Sequence, residues 1–263
     1  MAADILERIA ADKRVQVAEE KKIISSEKMR EKALATKSFL PDFIFENSLK
    51  KDGISFICEV KKASPSKGVI AEDFPYVEIA REYELAGADC LSVLTEQKYF
   101  LGCDQYLEEI RAAVKLPILR KDFTVDTYQI YQAKVLGANA ILLICALLDV
   151  EFMKESIAIC DELGLTALVE AHDEKEIKMA IEAGARVIGV NNRNLKDFTV
   201  DIHNSTNLRK YAPEGTLFVA ESGIRERADV AACEAEKVNA VLVGETLMRA
   251  EDKKTKLDEL RGI

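Results

Sequence analysis

Eight short apolar runs follow one another from Ile54 onward, and this repetition constrains the fold more than any other feature of the chain. Each run is rich in Val, Ile and Leu and closes on a polar or small residue. Strands of a parallel sheet that is covered on both faces have this pattern, because neither face meets water. The runs occupy residues 54–60, 89–95, 117–122, 139–146, 166–172, 186–192, 217–222 and 239–245.

Stretches long enough for one helix separate consecutive runs. Asp149 and Asp173 stand where such helices would begin, and Gly87, Gly137 and Gly184 stand where three of them would end. Eight βα units of similar length predict an α/β protein with a closed (β/α)₈ barrel, which typically needs roughly 250 residues. The alternative is an open, doubly wound sheet. It would need a glycine-rich loop after the first strand, and the sequence KKASP at 61–65 is not one.

The residues before the first run form a different, highly charged segment. Ile5, Leu6 and Ile9 would share one helical face, and the segment from Asp4 to Ser38 contains neither Gly nor Pro. We therefore expect residues 1–50 to form an N-terminal helical extension of a single barrel domain that spans residues 1–263.

The charge balance excludes several classes of partner. The formal net charge is −9, whereas a phosphate backbone requires a basic face, so no nucleic acid partner is expected. No apolar run reaches the roughly 18 residues of a membrane span. Charges at Asp4, Glu7 and Arg8 interrupt the N-terminus, which lacks the apolar core of a secretory signal. The sequence therefore predicts a cytoplasmic protein without a membrane partner.

Cysteine and histidine usage argues against metal binding and disulfides. The six cysteines form no C-x-x-C pair, and most lie in apolar runs, so they are predicted to be reduced core residues. His172 and His203 are the only histidines. Three carboxylates could hold Mg²⁺, but neighbouring lysines would repel it. No metal site is predicted.

Charged and polar side chains close the predicted strands, at the end where barrels of this kind carry their active sites. A charge at the end of a buried strand is costly unless it is paired or used. Salt bridges that merely close the barrel mouth are the alternative interpretation. Converging lysines and glutamates favour acid–base chemistry, with a lysine pKa lowered by burial and a glutamate pKa raised in a dry pocket. The set comprises Glu59, Lys61, Lys121, Asp122, Glu170, Asn191, Arg193, Glu221 and Ser222.

Two glycines follow the last two predicted strands. Gly223 lies in the sequence ESGI and Gly244 in VGET. Backbone N–H groups at such glycines can approach phosphate oxygens, and the loops after the seventh and eighth strands form a phosphate site in many barrels. The alternative is that both glycines only form tight turns.

An apolar group lies at or just beyond the second, third and fourth strand ends. Phe100, Phe123, Leu142 and Ile144 would pack either in the barrel core or against a ligand. Phe100 lies in a predicted loop, where core burial is less expected. An apolar wall opposite a phosphate site suits a substrate with a flat ring at one end.

Seven segments together cover essentially every strand end: CEVKKASPSKG (58–68), SVLTEQKYF (92–100), LRKDF (119–123), ALVE (167–170), IGVNNRNL (188–195), ESGI (221–224) and LVGETLM (242–248). These segments resemble the indole-3-glycerol phosphate synthase family, and the N-terminal helical extension also resembles that of the family. Lys237 stands where a glycine usually ends a helix. The chain holds one barrel, so no fused second pathway enzyme is expected.

The resemblance implies a TIM-barrel lyase of tryptophan biosynthesis. The family converts 1-(2-carboxyphenylamino)-1-deoxyribulose 5-phosphate to indole-3-glycerol phosphate. The ring carbon that bears the carboxylate attacks the ribulose carbonyl, and then CO₂ and water leave. The implied partner is therefore a small phosphorylated substrate, and no cofactor is implied.

By the same resemblance, Lys121 is the general acid that protonates the carbonyl oxygen, and Glu170 is the acid–base group of the dehydration. Lys61 binds the substrate's anionic groups and can protonate the leaving hydroxyl, although the order in which the lysines act stays open. The remaining residues fall into three groups. Glu59, Asn191 and Glu221 orient the lysines and substrate hydroxyls; Ser64, Arg193, Ser222, Gly223, Gly244 and Glu245 bind anionic groups; Pro65, Phe100, Phe123, Leu142 and Ile144 wall the ring. The loop 62–68 is predicted to be a lid.

Three other functions stay open at this point. A Schiff-base aldolase would use Lys121 as its nucleophile. A flavin-binding oxidoreductase would use the same phosphate loops. A catalytically silent barrel would only bind a ligand.

Overall fold

The computed structural model of the chain describes residues 5–194 and 198–263. Asp4, at the predicted start of the first helix, and Leu195, at the end of one matching segment, lie outside these ranges. Eight parallel strands form a closed barrel in which each strand pairs with its neighbours in sequence and the last pairs with the first. The predicted (β/α)₈ barrel is therefore confirmed over the open sheet. The strands are β1 (Ser55–Val60), β2 (Cys90–Leu94), β3 (Ile118–Lys121), β4 (Ala140–Ile144), β5 (Thr166–Ala171), β6 (Val187–Asn191), β7 (Leu217–Glu221) and β8 (Ala240–Val243).

Helices follow the strands and cover the outside of the barrel. The side chains of Asp149 and Asp173 cap the helices after β4 and β5, as predicted. Gly137 ends the helix after β3 with φ = 88°, and Lys237 adopts a similar left-handed conformation with φ = 56° after the helix that follows β7. The helices are α1 (Ile5–Ile23), α2 (Ser26–Ala35), α3 (Ile44–Ser48), α4 (Tyr76–Leu85), α5 (Asp104–Ala113), α6 (Tyr128–Leu136), α7 (Val150–Leu163), α8 (Glu174–Glu182), α9 (His203–Leu208), α10 (Arg227–Ala235), α11 (Glu245–Arg249) and α12 (Lys253–Arg261), with a 3₁₀ turn at Arg209–Tyr211.

Nearly every strand residue is buried, but alternate residues belong to two separate cores. Phe56 and Cys58 of β1 lie in the layer between the barrel and its helices, whereas Ile57 lies inside the barrel. Because successive side chains of a strand point to opposite faces, Glu59 shares the inward orientation of Ile57. The same alternation holds on β3, where Leu119 is an interior residue. Lys121 therefore also points into the barrel at the end of its strand.

The N-terminal extension consists of α1, α2 and α3, and it contacts both ends of the barrel. At the strand starts, the backbone N–H of Glu46 in α3 donates to Thr166 Oγ1, and Ser55 Oγ donates to the carbonyl of Ser48. Leu6 and Ile9 of α1 belong instead to the interior cluster at the strand ends. Within the described part of the chain, no helix is both long and apolar enough to cross a membrane.

Candidate active site

A cavity of about 410 Å³ opens at the carboxyl ends of the strands. Every residue predicted for the site lines it, although these residues come from all parts of the barrel sequence. The inward alternation of the strands explains the centre of this convergence, since Glu59, Lys121, Glu170 and Glu221 each follow an interior apolar residue by two positions. The lining includes Glu59, Lys61, Ser64, Pro65, Phe100, Lys121, Phe123, Leu142, Ile144, Glu170, Asn191, Arg193, Glu221, Ser222, Gly223, Gly244 and Glu245.

The ammonium group of Lys121 lies between two carboxylates at the centre of the mouth. Its Nζ is 2.6 Å from Glu221 Oε2 and 3.7 Å from Glu170 Oε2. Burial alone would lower the pKa of Lys121, but Glu221, Glu170 and Glu59 outweigh burial and raise the pKa above its usual value. The prediction of a lysine pKa lowered by burial is therefore wrong at this residue, because three carboxylates converge on it.

Glu221 is the buried carboxyl group with the raised pKa. Burial raises its pKa to about 7, and the neighbouring carboxylates of Glu170 and Glu59 act in the same direction against the attraction of Lys121. Its Oε1 is buried, and no hydrogen-bond partner for it is found among the described residues. This oxygen lies against β6, because a Cβ built on Gly189 would overlap it, so glycine at 189 leaves room for the Glu221 carboxylate.

Glu59 and Lys61 form a second ion pair on the β1 side of the mouth. Lys61 Nζ donates to Glu59 Oε1, while Ser92 Oγ donates to Glu59 Oε2 at 3.4 Å. Burial would raise the pKa of Glu59, but the two lysines outweigh it and lower the pKa. Gly244 stands against this pair: a Cβ there would lie 2.5 Å from Glu59 Oε1 and 2.9 Å from Lys61 Nζ. Glycine at 244 thus permits the pair to approach the β8 loop.

Glu170 is held on the opposite side of the mouth. Asn191 Nδ2 donates to its Oε1 at 3.2 Å, and Asn191 Oδ1 accepts the backbone N–H of Arg193 at 3.0 Å. Because Asn191 is fixed at both ends of its amide, it determines the orientation of the Glu170 carboxylate. Arg193 is itself held, since its Nη1 donates to the carbonyl of Phe198 at 3.4 Å.

The loop after β7 turns through two consecutive residues in the left-handed region. Ser222 and Gly223 have φ of 67° and 84°, and both line the cavity, as do Gly244 and Glu245 after β8. A Cβ at Gly223 would lie 2.8 Å from Val200 Cγ1, so a side chain there would strain the fold whatever the ligand. Glu245 Oε1 lies 3.7 Å from Lys67 Nζ and accepts from Arg249 Nε at 3.1 Å, so its carboxylate has cationic partners.

An apolar wall faces these loops across the cavity. The rings of Phe100 and Phe123 lie 6.1 Å apart, tilted by 42°, and the buried side chains of Leu142 and Ile144 line the same cavity. A short hairpin, Ala63–Ser64 paired with Gly68–Val69, follows β1. It carries Ser64 and Pro65 to the rim, where the loop 62–68 was predicted.

Sequence reasoning did not assign several residues that the structure adds to the lining. Ile5, Leu6 and Ile9 of α1 were recognised as one apolar face, but their periodicity does not reveal which surface that face covers. Two arginines near the loops after β7 and β8 were also missed: Arg225 lies in the loop before α10 and Arg249 at the end of α11, and neither stands at a predicted strand end. The additional lining residues include Ile5, Leu6, Ile9, Ser66, Ile70, Leu94, Phe198, Val200, Ile224, Arg225, Leu242, Val243, Thr246 and Arg249.

Comparisons with known proteins show the family of the chain. The model of the family described as indole-3-glycerol phosphate synthase matches residues 6–260. A protein of that name from Ruminiclostridium cellulolyticum is 54% identical and covers 98% of this chain and 99% of its own length. Another, from Endomicrobium trichonymphae, is 50% identical with the same coverage.

Among solved structures, a chain of the tryptophan synthase α2β2 complex from Pyrococcus furiosus matches with a TM-score of 0.58 and 16% identity. It covers 86% of this chain and 100% of its own length, and it supports the barrel fold alone. The family match is far more specific, because it extends over nearly the whole sequence at about half identity. The chain therefore belongs to the indole-3-glycerol phosphate synthase family of carbon–carbon lyases.

Proposed function

We propose that the chain converts 1-(2-carboxyphenylamino)-1-deoxyribulose 5-phosphate to indole-3-glycerol phosphate, with release of CO₂ and water. The observation that carries this proposal is the ammonium of Lys121, held in a buried mouth between Glu221 and Glu170. An apolar wall and a candidate anion site lie at different sides of the same cavity. That cavity has the size of a small-molecule site, and it offers one region for each part of the substrate.

Lys121 is proposed to protonate the ribulose carbonyl oxygen as the new carbon–carbon bond forms. Its raised pKa keeps the ammonium protonated at neutral pH, so the donor is always loaded. Negative charge develops on the carbonyl oxygen in the transition state, and a fixed ammonium in a water-poor site stabilises that charge strongly. The ammonium has three N–H groups, so it can donate one to the substrate oxygen while another stays on Glu221.

Glu170 is proposed to be the acid–base group of the dehydration. Its carboxylate, oriented by Asn191, lies across the mouth from the Glu59–Lys61 pair. Lys61 would bind an anionic group and protonate the leaving hydroxyl. Glu59 and Glu221 would orient the two lysines, a role that their hydrogen bonds to Lys61 and Lys121 support.

The phosphate group is proposed to bind Ser222, Gly223, Gly244 and Glu245, the last three through backbone N–H groups. The anthranilate ring would pack on the wall of Phe100, Phe123, Leu142, Ile144 and Pro65. Ser64 and Arg193 would contact the carboxylate or phosphate. Closure of the hairpin loop 62–68 is supported by the Lys67–Glu245 ion pair, which joins that loop to the β8 side of the mouth.

We further propose that residues 1–263 act as one domain on this small phosphorylated substrate, in the cytoplasm. The family match from residue 6 to residue 260 supports the single unit. The net charge of −9 argues against a nucleic acid or anionic membrane partner.

A fluorescence assay of indole-glycerol formation from the anilino-deoxyribulose phosphate tests the function. We expect turnover by the unmodified chain and a loss of roughly 10² to 10⁴ in kcat for Lys121→Met, since that is the usual effect of losing a general acid. Borohydride treatment in the presence of substrate should leave Lys121 unmodified, which separates this reaction from Schiff-base chemistry. Lys121→Met protein with more than about a tenth of the original kcat would contradict the role of Lys121.

A further inference from the structure

His172 lies directly after β5 and behind Glu170, outside the residues that line the cavity. Its Nε2 is 3.9 Å from Glu170 Oε1, and its Nδ1 is 3.5 Å from Glu176 Oε2 in α8. The same oxygen of Glu176 accepts the backbone N–H of His172 at 2.7 Å, which fixes the acidic side chain beside the ring. The side chain of His172 is only 21% exposed.

This arrangement favours the protonated ring. A neutral imidazole has one N–H group and presents a lone pair at its other nitrogen, whereas the imidazolium carries N–H groups at both. Both nitrogens of His172 face carboxylate oxygens, so a neutral ring would direct a lone pair at one of them. Nε2 is buried, and no hydrogen-bond partner for it is found in the described ranges. A proton on Nε2 would therefore face the carboxylate of Glu170.

We propose that His172, as an imidazolium anchored by Glu176, is a positioning residue that fixes the Oε1 side of Glu170 and stabilises the ionised form of that carboxylate. The proposal rests on the acid–base role assigned to Glu170 above. Asn191 holds the same oxygen, and Lys121 faces the other one. Glu170 would thus be oriented from one side by a cation outside the cavity and from the other by a cation within it.

The charges around the ring act in the same sense. Burial lowers the pKa of His172, but Glu176 of α8, Glu170 of β5 and Glu221 of β7 outweigh burial and raise the pKa above its usual value. Asn204 in α9 donates to the backbone carbonyl of His172 at 3.3 Å and adds no charge. Three glutamates at the mouth face two lysines, Lys61 and Lys121, and His172 supplies a third positive group beside them.

The pH dependence of kcat tests this role. In His172→Gln the cation beside Glu170 is lost, and we expect the acidic limb of the profile to move upward by about one pH unit, with KM changed less than about twofold. His203→Gln is the matched control, because His203 is the other histidine and is exposed. His172→Lys keeps a cation and is expected to leave the limb at or below its original pH. A limb that stays in place in His172→Gln would overturn the proposal.

Nuclear magnetic resonance gives a readout that does not depend on activity. With only two histidines, the ring signals of His172 are identified by their loss in His172→Gln. Glu170→Gln should lower the His172 pKa by about one unit, since it removes an opposite charge. An unchanged His172 pKa would overturn the contact. Normal kcat in Glu170→Gln would instead refute the role of Glu170 in the proposed function and leave the titration result standing.

Discussion

Glu170 and Glu221 face the same ammonium, but their other contacts differ. Glu170 receives a hydrogen bond from Asn191 on its second oxygen, whereas the second oxygen of Glu221 has no hydrogen-bond partner among the described residues. Glu221 also lies closer to Lys121, at 2.6 Å against 3.7 Å for Glu170. Two carboxylates at one lysine can therefore serve two purposes: Glu221 sets the state of Lys121, and Glu170 stays oriented toward the cavity.

Replacement of Glu170 by Gln should lower kcat by roughly 10² to 10⁴ and change KM little. The amide keeps the size and part of the hydrogen bonding of the carboxylate but cannot take a proton. Steady-state kinetics and thermal unfolding on one preparation provide the measurement. A purely structural role would give the reverse pattern, with near-normal kcat per folded molecule and a lower Tm.

Replacement of Glu221 by Gln should move the basic limb of the kcat/KM profile to lower pH. The Lys121 pKa is raised by Glu221, Glu170 and Glu59, so removing one carboxylate lowers that pKa, and the ammonium deprotonates earlier as pH rises. Rate profiles between neutral and alkaline pH would show the shift. Glu151→Gln, a substitution at an exposed position of α7, is the control and should leave the limb in place. A limb unmoved in Glu221→Gln would contradict the assignment of Lys121 as the titrating acid.

At the scale of single residues, the sequence predicts which side chains converge at the barrel mouth but not which of them are protonated. Strand-end position and two-residue alternation are visible in the apolar runs, so the convergence of Lys121 and Glu221 could be expected. Their mutual distance could not, because 100 residues separate them along the chain. The expected low lysine pKa was wrong for that reason: burial can be inferred from a run, whereas the number of carboxylates around one ammonium depends on the closed barrel.

At the scale of elements, α1 is attached to the barrel directly beside the proposed general acid. Lys13 of α1 and Asp122, the neighbour of Lys121, form an ion pair of 2.8 Å in which both side chains are almost fully buried. Asp12 adds a second attachment, since it accepts from Lys98 Nζ at 2.7 Å and from Tyr99 Oη at 2.6 Å. The helix is thereby held over the cavity that its apolar face lines.

Removal of the Lys13 charge should destabilise the fold. Lys13→Met leaves the buried charge of Asp122 poorly compensated, although Thr95 and Arg120 still contact that carboxylate. We therefore expect a loss of about 3 kcal/mol in the free energy of unfolding. Urea denaturation gives the measurement.

Two further variants make that result specific. Lys13→Met combined with Asp122→Asn should recover much of the loss, because no unpaired charge remains. Lys22→Met removes an exposed pair with Glu19 on the same helix and should have an effect below about 1 kcal/mol. Equal destabilisation by Lys13→Met and Lys22→Met would show that the buried pair carries no special weight.

The attachment of α1 illustrates where sequence interpretation ends at this scale. The stripe of Ile5, Leu6 and Ile9 predicts an amphipathic helix, and the helix is present. Its location over the mouth depends on contacts with residues about a hundred positions away. Lys13 in particular reads as one more surface charge of a highly charged segment, and only the fold shows that it is buried.

At the scale of the whole molecule, the net charge of the chain does not determine the charge of the side chains at the mouth. The chain carries a formal charge of −9, but in the cavity lining five cationic side chains stand beside five carboxylates, so the mouth is less acidic than the chain as a whole; the cations are Lys61, Lys121, Arg193, Arg225 and Arg249, and the carboxylates are Glu59, Asp122, Glu170, Glu221 and Glu245. A cleft with low-dielectric walls concentrates the field of its charged groups, so an anionic group can be attracted to the cations on its own side of the cavity even though the protein is acidic. The eight apolar runs specify the closed barrel, and the barrel in turn creates this local field.

Chemical labelling of the cysteine thiols can test whether the core of the whole molecule is closed. Cys58, Cys90, Cys145, Cys160 and Cys233 are buried free thiols, and Cys103 is half-buried at the start of α5. Burial raises the pKa of Cys145 to about 12 and that of Cys233 to about 11, so these thiols stay protonated and unreactive at neutral pH.

A thiol reagent added without reductant should therefore label about one cysteine rapidly in the native protein and all six after unfolding. Rapid labelling of several cysteines in the native state would contradict the buried core, and fewer than six after unfolding would contradict the reduced state. Since the buried thiols are distributed over β1, β2, the end of β4, α7 and α10, their protection would report on closure around most of the barrel.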